Sequence, residues 1–363
     1  MKIFIVTGEK SGDIHASNLV REIKSLKKDV ILQAWGGDRL IKEGVNVIKH
    51  INSIAFMGFW EVFKNIFTIK NNFKLCKSNI IDFNPDLIVL VDFAGFNLRI
   101  AEFASKKNYK VYYYISPKLW AWKSSRIKSI KKYINQMIVI FPFEKEYFKN
   151  NNLSVEYFGN PLIDEINLHK SKPLIKLTSP IISLFPGSRD QEIKKILPIM
   201  LSVVNNYPNY KFIVAGVGSF DLEYYRKIIK NNDVDIVFED AYRVLRSSTA
   251  ALITSGTASL EAALLNVPQV VCYKTSFLSY IIAKYYVKIK YISLVNILNS
   301  KEVVSELIQY QLTKGNLIEK LNDIISEENI TDLNLNYKIT QNILNENDGS
   351  PSKKLANFIL ESI

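Results

Sequence analysis

The sequence predicts an α/β protein with two Rossmann-like, doubly wound domains that face a cleft, followed by C-terminal helices. Short apolar runs rich in β-branched residues alternate with Gly-containing turns and segments of helical period, as in parallel βαβ units. The alternation starts afresh after a stretch rich in Lys, Pro and Ser at Leu168–Pro180. The 363 residues also exceed what one hydrophobic core usually organises.

Five strands are expected in each half of the chain. Those of the first half are Lys2–Val6, Val30–Trp35, Leu87–Val91, Val111–Ile115 and Met137–Phe141, with helices at Ile14–Lys27 and Phe96–Lys107. Those of the second half are Ile181–Phe185, Phe212–Ala215, Ile236–Phe238, Ala251–Thr254 and Gln269–Tyr273. From about Ser300 the pattern is helical only, ending at Lys353–Ile363. We therefore expect domains at 1–167 and 168–340, and a final helix within 341–363 that is set apart and free to pack back on the first domain.

The composition indicates a globular protein with a basic surface. Hydrophobic residues make up 48% of the chain, and the formal net charge is +12. Such a charge favours phosphates, nucleic acid or an acidic lipid surface, although a general bias towards Lys and Asn explains it equally well. The lysines are scattered and form no stripe with base-stacking aromatics, so nucleic-acid binding is not expected.

Several absences indicate a cytoplasmic location. Cys76 and Cys272 lie in apolar stretches without CxxC spacing and are typical of core thiols in a reducing compartment. The apolar run at the start is too short for a signal peptide, and no run reaches the length of a spanning helix. The isolated histidines His15, His50 and His169 show no metal-ligand spacing, so no metal is expected and none of the three is expected to be catalytic. The first loop has neither GxGxxG nor P-loop spacing, and no cofactor is expected.

Two candidate groups follow strands of the first half. The first loop contains Gly8, Glu9, Ser11, Gly12 and Asp13, and its glycines would let a ligand approach the start of a helix. A mere tight turn is the alternative. Asp92, in the run Asp92–Asn97, ends another strand and is a candidate general base, with a helix cap or a salt bridge as the alternative.

Two loops of the second half are candidates for holding a diphosphate. Each follows a strand and precedes a helix, where free N–H groups favour anions. Arg189 adds a two-pronged phosphate donor, and Glu261 could accept from sugar hydroxyls. Ordinary helix caps are the alternative for both loops. Their residues are Gly187, Ser188 and Arg189, and Ser255, Gly256, Thr257, Ser259 and Glu261.

Two aromatic segments stand out. Tyr114–Lys123 contains Ser116, Trp120 and Trp122 and could line a groove for sugar rings, acyl chains and a phosphate, or could be a core loop. Within 54–73, aromatic residues recur at helical spacing beside lysines, which is typical of a helix that dips into a bilayer interface; a buried amphipathic helix is the alternative. The docking candidates are Phe56, Phe59, Trp60, Phe63, Phe67, Lys64 and Lys70.

Together these motifs resemble the lipid-A-disaccharide synthase family. The matching segments follow the family's order between residues 3 and 310, and the Trp-Ala-Trp motif is very specific. They are GEKSGD (8–13), FMGFWEV (56–62), DFAGFN (92–97), ISPKLWAW (115–122), FPFE (141–144), PGSR (186–189), SGTASLE (255–261) and SLVNIL (293–298).

The resemblance implies a GT-B glycosyltransferase of lipid A and lipopolysaccharide biosynthesis. Such an enzyme transfers 2,3-diacylglucosamine from UDP to 2,3-diacylglucosamine 1-phosphate (lipid X) with inversion, works at the anionic inner face of the inner membrane, and needs no metal. It implies that Asp92 is the base candidate, alone or with Glu9 or Asp13, because Gly95 replaces a second acidic residue of many relatives. Arg189 and Asn296 would belong to the UDP site.

The resemblance also implies roles for further site residues, and two other functions are alternatives to the one it implies. Glu306 and Gln309 match a further motif on the nucleotide side, and Gly8, Ser11, Gly12, Asn97, Ser116, Trp120 and Trp122 would line the acceptor and acyl groove. A homodimer is left open. The rivals are another enzyme that uses a UDP-sugar, such as an epimerase or a peptidoglycan transferase, and a non-catalytic binding protein.

Overall fold

The computed structural model describes residues 1–54, 66–120, 126–238, 240–276, 280, 285, 290–345 and 349–363. The chain forms two compact units, of which unit 1 is Met1–Glu165 with Asn345–Ile363 and unit 2 is Ile166–Leu344. The boundary expected at residue 167 lies inside a helix, Leu162–His169, that runs across this junction. The Lys-, Pro- and Ser-rich stretch follows that helix and precedes the first strand of unit 2.

Unit 1 is built on a parallel sheet of seven strands. Their order is β3-β2-β1-β4-β5-β6-β7, so β1 and β4 lie side by side at the centre. The central strands are continuous runs of Ile, Val and Leu, because helices cover both faces of the sheet. The strands are β1 (Lys2–Val6), β2 (Ile31–Gly36), β3 (Asn46–His50), β4 (Leu87–Val91), β5 (Val111–Tyr114), β6 (Gln136–Val139) and β7 (Glu156–Tyr157).

The helices of unit 1 cover the two faces of this sheet. In the described part of the chain they are α1 (Lys10–Leu26), α2 (Asp38–Lys42), α3 (Ile66–Phe83), α4 (Ala94–Lys106), α5 (Ile127–Tyr133), α6 (Pro142–Asn150) and α7 (Leu162–His169), with a 3-10 turn at Ile51–Ser53. A further helix near the carboxyl end of the chain, α15 (Pro351–Glu361), also belongs to unit 1.

Unit 2 repeats the architecture with six parallel strands in the order β10-β9-β8-β11-β12-β13. The strands are β8 (Ile181–Phe185), β9 (Lys211–Gly216), β10 (Val234–Phe238), β11 (Ala250–Thr254), β12 (Gln269–Tyr273) and β13 (Ser305–Ile308). The expectation that the chain is only helical from about Ser300 is wrong, since β13 pairs with β12 from Val270–Ser305 to Tyr273–Ile308. Its Ser and Glu give so short a strand too little apolar character to be recognised.

The described helices that follow β8 in the chain belong to unit 2, except the last one, α15, which belongs to unit 1. They are α8 (Asp190–Leu201), α9 (Leu222–Ile229), α10 (Ala241–Arg246), α11 (Thr257–Leu264), α12 (Leu294–Asn299), α13 (Lys314–Ile325) and α14 (Glu327–Leu344), with 3-10 turns at Val204–Asn206 and Gln309–Gln311, and finally α15 (Pro351–Glu361). Within the described ranges, no helix has the length and apolar composition needed to cross a membrane.

The helix α15 packs into the core of unit 1. Leu355, Ala356 and Ile359 are buried in the same cluster as residues of α1 and of the sheet. The carboxylate of Asp164 accepts a hydrogen bond from the backbone N–H of Ser352 at 2.8 Å, which satisfies one of the free donors in the first turn of α15. The final helix is therefore an integral part of unit 1.

Both sheets have the strand order that creates a switch point between their first and fourth strands. In unit 1 this point lies between β1 and β4, and in unit 2 it lies between β8 and β11. Chain connections leave these paired strands in opposite directions, so a crevice opens at their carboxyl ends. The Gly8–Asp13 loop and Asp92 follow the two strands of the first switch point.

Candidate active site

Asp92 directly follows β4 and has an unusual backbone conformation. Asp92 and Phe93 have φ values of +46° and +50°, so two successive non-glycine residues are left-handed. Each such residue costs about 1–3 kcal/mol and persists only where its surroundings enforce it. Strain of this kind clusters at active sites, which supports a functional role for Asp92.

Three hydrogen bonds hold the backbone of Asp92. Its N–H donates to the Tyr114 carbonyl at 2.9 Å. Its own carbonyl accepts from Asn97 Nδ2 at 2.8 Å and from the Tyr113 hydroxyl at 2.5 Å. The strained turn is therefore fixed by the neighbouring strand β5 and by the helix α4.

The carboxyl group of Asp92 has a perturbed acidity. Burial raises the pKa of Asp92 above its usual value, while the positive charge of Lys118 and a hydrogen bond from the Phe93 N–H lower it. A raised pKa brings a carboxylate closer to the range in which it accepts protons effectively. This environment suits a general base.

The glycine-containing loop after β1 lies against the Asp92 turn. A Cβ on Gly8 would lie 2.2 Å from Cγ of the Phe93 ring, so the ring occupies the space that a side chain would need. Glu9 directly precedes α1, and Ser11 and Gly12 lie in its first turn. The structure thus brings this loop together with Asp92, because β1 and β4 are adjacent strands.

Asp13 has structural contacts that account for its position. It is 2% exposed, and its carboxylate accepts from the N–H groups of Gly37 at 2.7 Å and Arg39 at 2.9 Å. Burial raises the pKa of Asp13, and these hydrogen bonds oppose that change. Both oxygens of Asp13 therefore hold the turn between β2 and α2.

A buried carboxylate that the sequence did not single out holds the loop after β5. The Ser116 hydroxyl donates to Glu144 Oε1 at 2.5 Å, and Glu144 Oε2 accepts from the Ile140 and Phe141 N–H groups at 3.1 Å. Burial raises the pKa of Glu144. A proline followed by glutamate at the start of α6 is the pattern of a capped helix and could have revealed this role.

Of the candidate aromatic residues, Trp120 lies in the loop after β5. Trp120 packs edge-on against Phe143 with ring centroids 5.1 Å apart. Trp122 lies outside the described residues. Among the docking candidates, the aromatic residue Phe67 is 80% exposed, and Lys70 is exposed as well. Phe56, Phe59, Trp60, Phe63 and Lys64 also lie outside the described residues.

In unit 2, the loop after β8 is organised by Glu192. Gly187 has φ +104°, and a Cβ there would lie 2.4 Å from Glu192 Oε2. That oxygen accepts from the Ser188 N–H at 3.2 Å, while Oε1 pairs with Arg189 Nη1 at 3.2 Å. The guanidinium of Arg189 is mostly exposed, so it can reach a ligand at this end of the sheet.

The loop after β11 presents the first turn of α11. Gly256 precedes this helix and Thr257 begins it, so backbone N–H groups are available for an anion. The Ser255 hydroxyl donates to the Ile292 carbonyl at 3.0 Å, and the Ser259 hydroxyl donates to the Gly256 carbonyl at 2.9 Å. These two hydroxyls shape the loop.

Glu261 lies one turn further along α11. One of its carboxylate oxygens accepts from the Tyr242 hydroxyl at 3.2 Å. Because β8 and β11 are adjacent strands, the loops that follow them lie together at the switch point of unit 2. These are the loops that the sequence assigns to the diphosphate.

Asn296 and Glu306 form one hydrogen-bonded cluster. Asn296 Nδ2 donates to Glu306 Oε1 at 2.8 Å, and its Oδ1 accepts from the N–H groups of Val303 and Val304. Glu306 also accepts from the Ser293 N–H at 2.8 Å. These side chains hold the start of α12 against β13, which organises the backbone around the carboxyl end of that strand.

Gln309 follows β13 in a left-handed conformation, with φ +54°. Its Oε1 accepts from the backbone N–H of Thr275 at 3.1 Å. Since Thr275 follows β12, this contact ties the ends of two adjacent strands together. In the described part of the chain, no three His, Cys, Asp or Glu side chains come close enough to hold a metal ion.

Comparisons with known proteins identify the family. Residues 3–357 match the family model for lipid-A-disaccharide synthetase. The chain is 35% identical over 341 residues to lipid-A-disaccharide synthase 1 of Legionella pneumophila, covering 90% of this chain and 89% of that one. It is 33% identical over 337 residues to lipid-A-disaccharide synthase of Coxiella burnetii, with the same coverage of both chains.

Solved structures share the fold at low sequence identity. UDP-GlcNAc 2-epimerase from Neisseria meningitidis, bound to UDP-GlcNAc, has a TM-score of 0.70 at 15% identity and covers 99% of this chain and 100% of its own. The glycosyltransferase of kitacinnamycin has a TM-score of 0.67 at 10% identity, with 100% and 99% coverage. At such identities the likeness shows the GT-B-like fold alone, whereas the curated relatives share more than twice as many residues. The chain therefore belongs to the lipid-A-disaccharide synthase family of glycosyltransferases, the group that its strand-end motifs resemble.

Proposed function

We propose that this enzyme transfers 2,3-diacylglucosamine from UDP to 2,3-diacylglucosamine 1-phosphate with inversion, releasing UDP. The family membership supports the reaction class. The observation that carries the mechanism is the strained, half-buried Asp92 at the switch point of unit 1. Direct displacement with inversion needs a base for the acceptor hydroxyl, and Asp92 has the position and the raised pKa for that role.

The UDP moiety is assigned to unit 2. Support comes from Arg189 beside the loop after β8 and from the free N–H groups at the start of α11. Negative charge builds on the diphosphate as the glycosidic bond breaks, and fixed donors stabilise that charge. Gly187, Ser188, Ser255, Gly256, Thr257 and Ser259 shape these loops, and Glu261, Asn296, Glu306 and Gln309 complete the assignment.

The acceptor and its acyl chains are assigned to unit 1. Gly8 lies in the loop beside Asp92, and Ser11 and Gly12 lie in the first turn of α1. Ser116 and Trp120 lie in the loop after β5, and Trp122, which lies outside the described residues, is assigned to the same groove from the sequence. The sequence assigns Asn97 to the same groove, but the hydrogen bonds from its amide nitrogen to backbone carbonyls favour a different role. Glu9 remains a second carboxylate candidate for catalysis, whereas the backbone contacts of Asp13 favour a structural role.

Product analysis tests the proposed reaction. The protein is incubated with UDP-2,3-diacylglucosamine and 2,3-diacylglucosamine 1-phosphate, and mass spectrometry is expected to find the tetraacyl disaccharide 1-phosphate and UDP. NMR of the new linkage should show the β anomer from an α donor. Incubation with UDP-GlcNAc alone is the control for the epimerase alternative. An epimerised nucleotide sugar without any disaccharide would contradict the proposal.

We further propose that the enzyme works as a peripheral protein on the anionic inner face of the inner membrane. Both proposed substrates carry acyl chains, so they are concentrated in the bilayer. In the described part of the 56–70 segment, Phe67 is 80% exposed and Lys70 is exposed. Exposed aromatic residues beside lysines suit an interface, where each lysine near anionic lipid contributes about 1 kcal/mol.

Vesicle binding tests the docking surface. Replacing Phe59, Trp60 and Phe63 with serine is expected to reduce sedimentation with anionic vesicles and activity on acylated substrates, while UDP affinity is retained. Replacing Tyr310, which is 75% exposed, with serine is the matched control. Unchanged sedimentation of a folded triple variant would contradict the docking role, and loss of folding would show that these residues belong to the core.

A further inference from the structure

We infer that Asn97 and Tyr113 are positioning residues for Asp92, acting through its backbone carbonyl rather than through contact with the substrate. The inference rests on the proposed role of Asp92 as the base. Both side chains donate to the same carbonyl oxygen, at 2.8 Å from Asn97 Nδ2 and 2.5 Å from the Tyr113 hydroxyl.

The backbone is strained at the ends of two adjacent strands, β4 and β5. Asp92 and Phe93 are left-handed at the end of β4, and Ile115 is left-handed at the end of β5, with φ +68°. A β-branched residue such as Ile is a genuine outlier in this region. The turn therefore persists because other contacts outweigh its intrinsic preference, and removing such contacts releases it towards ordinary conformations.

Asn97 ties the two strands of the switch point together. Its Nδ2 lies within hydrogen-bond distance of three backbone carbonyls, those of Val6 at 3.3 Å, Val91 at 3.2 Å and Asp92 at 2.8 Å. Val6 ends β1 and Val91 ends β4. The side chain is fully buried, so its amide nitrogen is committed to the backbone and not presented to an acceptor sugar.

Tyr113 supplies a second donor from the neighbouring strand. It lies in β5, and its ring is among the largest fully buried side chains. Burial raises the pKa of the Tyr113 hydroxyl far above its ordinary value, and the nearby charge of Asp92 raises it further. The hydroxyl therefore keeps its proton at working pH and remains a donor to the Asp92 carbonyl.

This geometry separates positioning from substrate binding. Loss of either donor frees the peptide unit between Asp92 and Phe93 to rotate, which turns the carboxylate away from its working direction. Small displacements of a catalytic group lower the chemical step strongly. The turnover number should fall while KM for the acceptor stays the same, because both side chains are fully buried and so are not accessible to the acceptor.

A double-mutant cycle tests the inference. Tyr113→Phe removes only the hydroxyl, and Asn97→Ala removes the amide; each is made alone and together with Asp92→Asn. Asparagine tolerates the left-handed region, so Asp92→Asn keeps the turn while removing the base. Each single variant is expected to lower kcat about 5- to 10-fold, the effect of losing one or two net hydrogen bonds, with KM changed less than about 2-fold.

The cycle distinguishes the two roles. Once Asp92 is already Asn, neither further substitution should lower kcat again, because the carboxylate through which they act is gone. Losses that multiply, or a rise in acceptor KM at unchanged kcat, would overturn the inference and assign Asn97 to the acceptor. Tyr112→Phe is the matched control, since Tyr112 is a buried tyrosine of the same strand that packs against Phe358.

Amide hydrogen exchange gives a readout that does not depend on the reaction. In Tyr113→Phe and Asn97→Ala, peptides covering residues 91–97 should exchange faster than in the wild type, with the rest of unit 1 and UDP affinity unchanged. Unaltered exchange in this segment would overturn the inference. Failure of the wild type to form any disaccharide, with faster exchange in the variants, would instead contradict the proposed function alone.

Discussion

The guanidinium Nη1 of Arg189 lies 3.2 Å from Oε1 of Glu192, one turn further along the chain. The other oxygen of Glu192 accepts from the Ser188 N–H at 3.2 Å. A carboxylate thus engages two donors that we assign to the diphosphate of the nucleotide. A diphosphate that uses these donors has to replace Glu192 or share them with it, so the two residues should affect UDP affinity in opposite directions.

Arg189→Ala should weaken UDP binding by about 10-fold and lower kcat as well, because a charge-assisted hydrogen bond to the leaving group is lost. Isothermal titration calorimetry with UDP measures the first effect, and steady-state kinetics measures the second. Arg226→Ala, which removes an exposed arginine from α9 of the same unit, is the matched control. Equal UDP affinity in the wild type and Arg189→Ala would place the nucleotide elsewhere.

Glu192→Gln should tighten UDP binding by up to about 5-fold. The amide keeps the length of the side chain but no longer holds Arg189 as an ion pair, and exposed pairs contribute at most about 1 kcal/mol. Calorimetry at two salt concentrations checks the result. A weaker affinity would instead show that Glu192 holds Arg189 in the orientation that the diphosphate needs.

Asp92→Asn should lower kcat by about 10²-fold or more and leave UDP affinity unchanged, because asparagine cannot take the proton of the acceptor hydroxyl. In the wild type, the raised pKa of Asp92 places the acid limb of kcat/KM above the ordinary aspartate value of 3.8. Activity should fall as the pH falls through that raised pKa. A variant with near-native kcat would exclude Asp92 as the base.

Lys118→Met should move this acid limb to higher pH. The charge of Lys118 lowers the pKa of Asp92 against the effect of burial, so its removal leaves burial less opposed. The pH profile of kcat/KM measures the shift, and Lys128→Met, at an exposed lysine of α5, serves as the control. A limb at the same pH in both variants would contradict the link between Lys118 and Asp92.

The buried His15 should make the folded protein less stable at acidic pH. Burial lowers the pKa of His15 from 6.5 to about 4, so between these values the unfolded chain binds a proton that the folded chain does not. From pH 7 to pH 5 this group alone should reduce the free energy of unfolding by about 2 kcal/mol. Urea unfolding of the wild type and His15→Gln at both pH values isolates the contribution; equal pH dependence in the two proteins would refute it.

The sequence predicts the central strands well because they are buried on both faces. Lys2–Val6, Leu87–Val91, Ile181–Phe185 and Gln269–Tyr273 have the same bounds in the structure. The strands that were not predicted lie at sheet edges, where one neighbour and partial exposure allow polar residues. The half-buried run of β3, the two residues of β7 and the polar start of β13 are of this kind.

The direction in which a side chain points is much harder to predict than its position at the end of a strand. Gly8 and Asp92 were both candidates from their strand-end positions, and the strand order of the structure, which places β1 beside β4, brings them together. The same reasoning cannot show that Asn97 and Asn296 turn towards the backbone, since an amide is equally suited to a sugar hydroxyl and to a peptide carbonyl. The position of Glu144 in the first turn of α6 indicates a helix cap, but it does not show that Glu144 also accepts a hydrogen bond from Ser116 in the loop after β5.

The contribution of α15 to unit 1 constrains the order in which the protein can fold during synthesis. Residues 1–165 leave the ribosome first, but Leu355, Ala356 and Ile359 complete their core from beyond unit 2. The apolar surface that these residues cover on α1 therefore stays open to water while the whole of unit 2 is being made. At about 5–20 residues per second, the roughly 190 residues that separate the two segments take some 10 to 40 seconds to synthesise. During that interval unit 2 can close its own core, so the domain encoded first is the last to be completed.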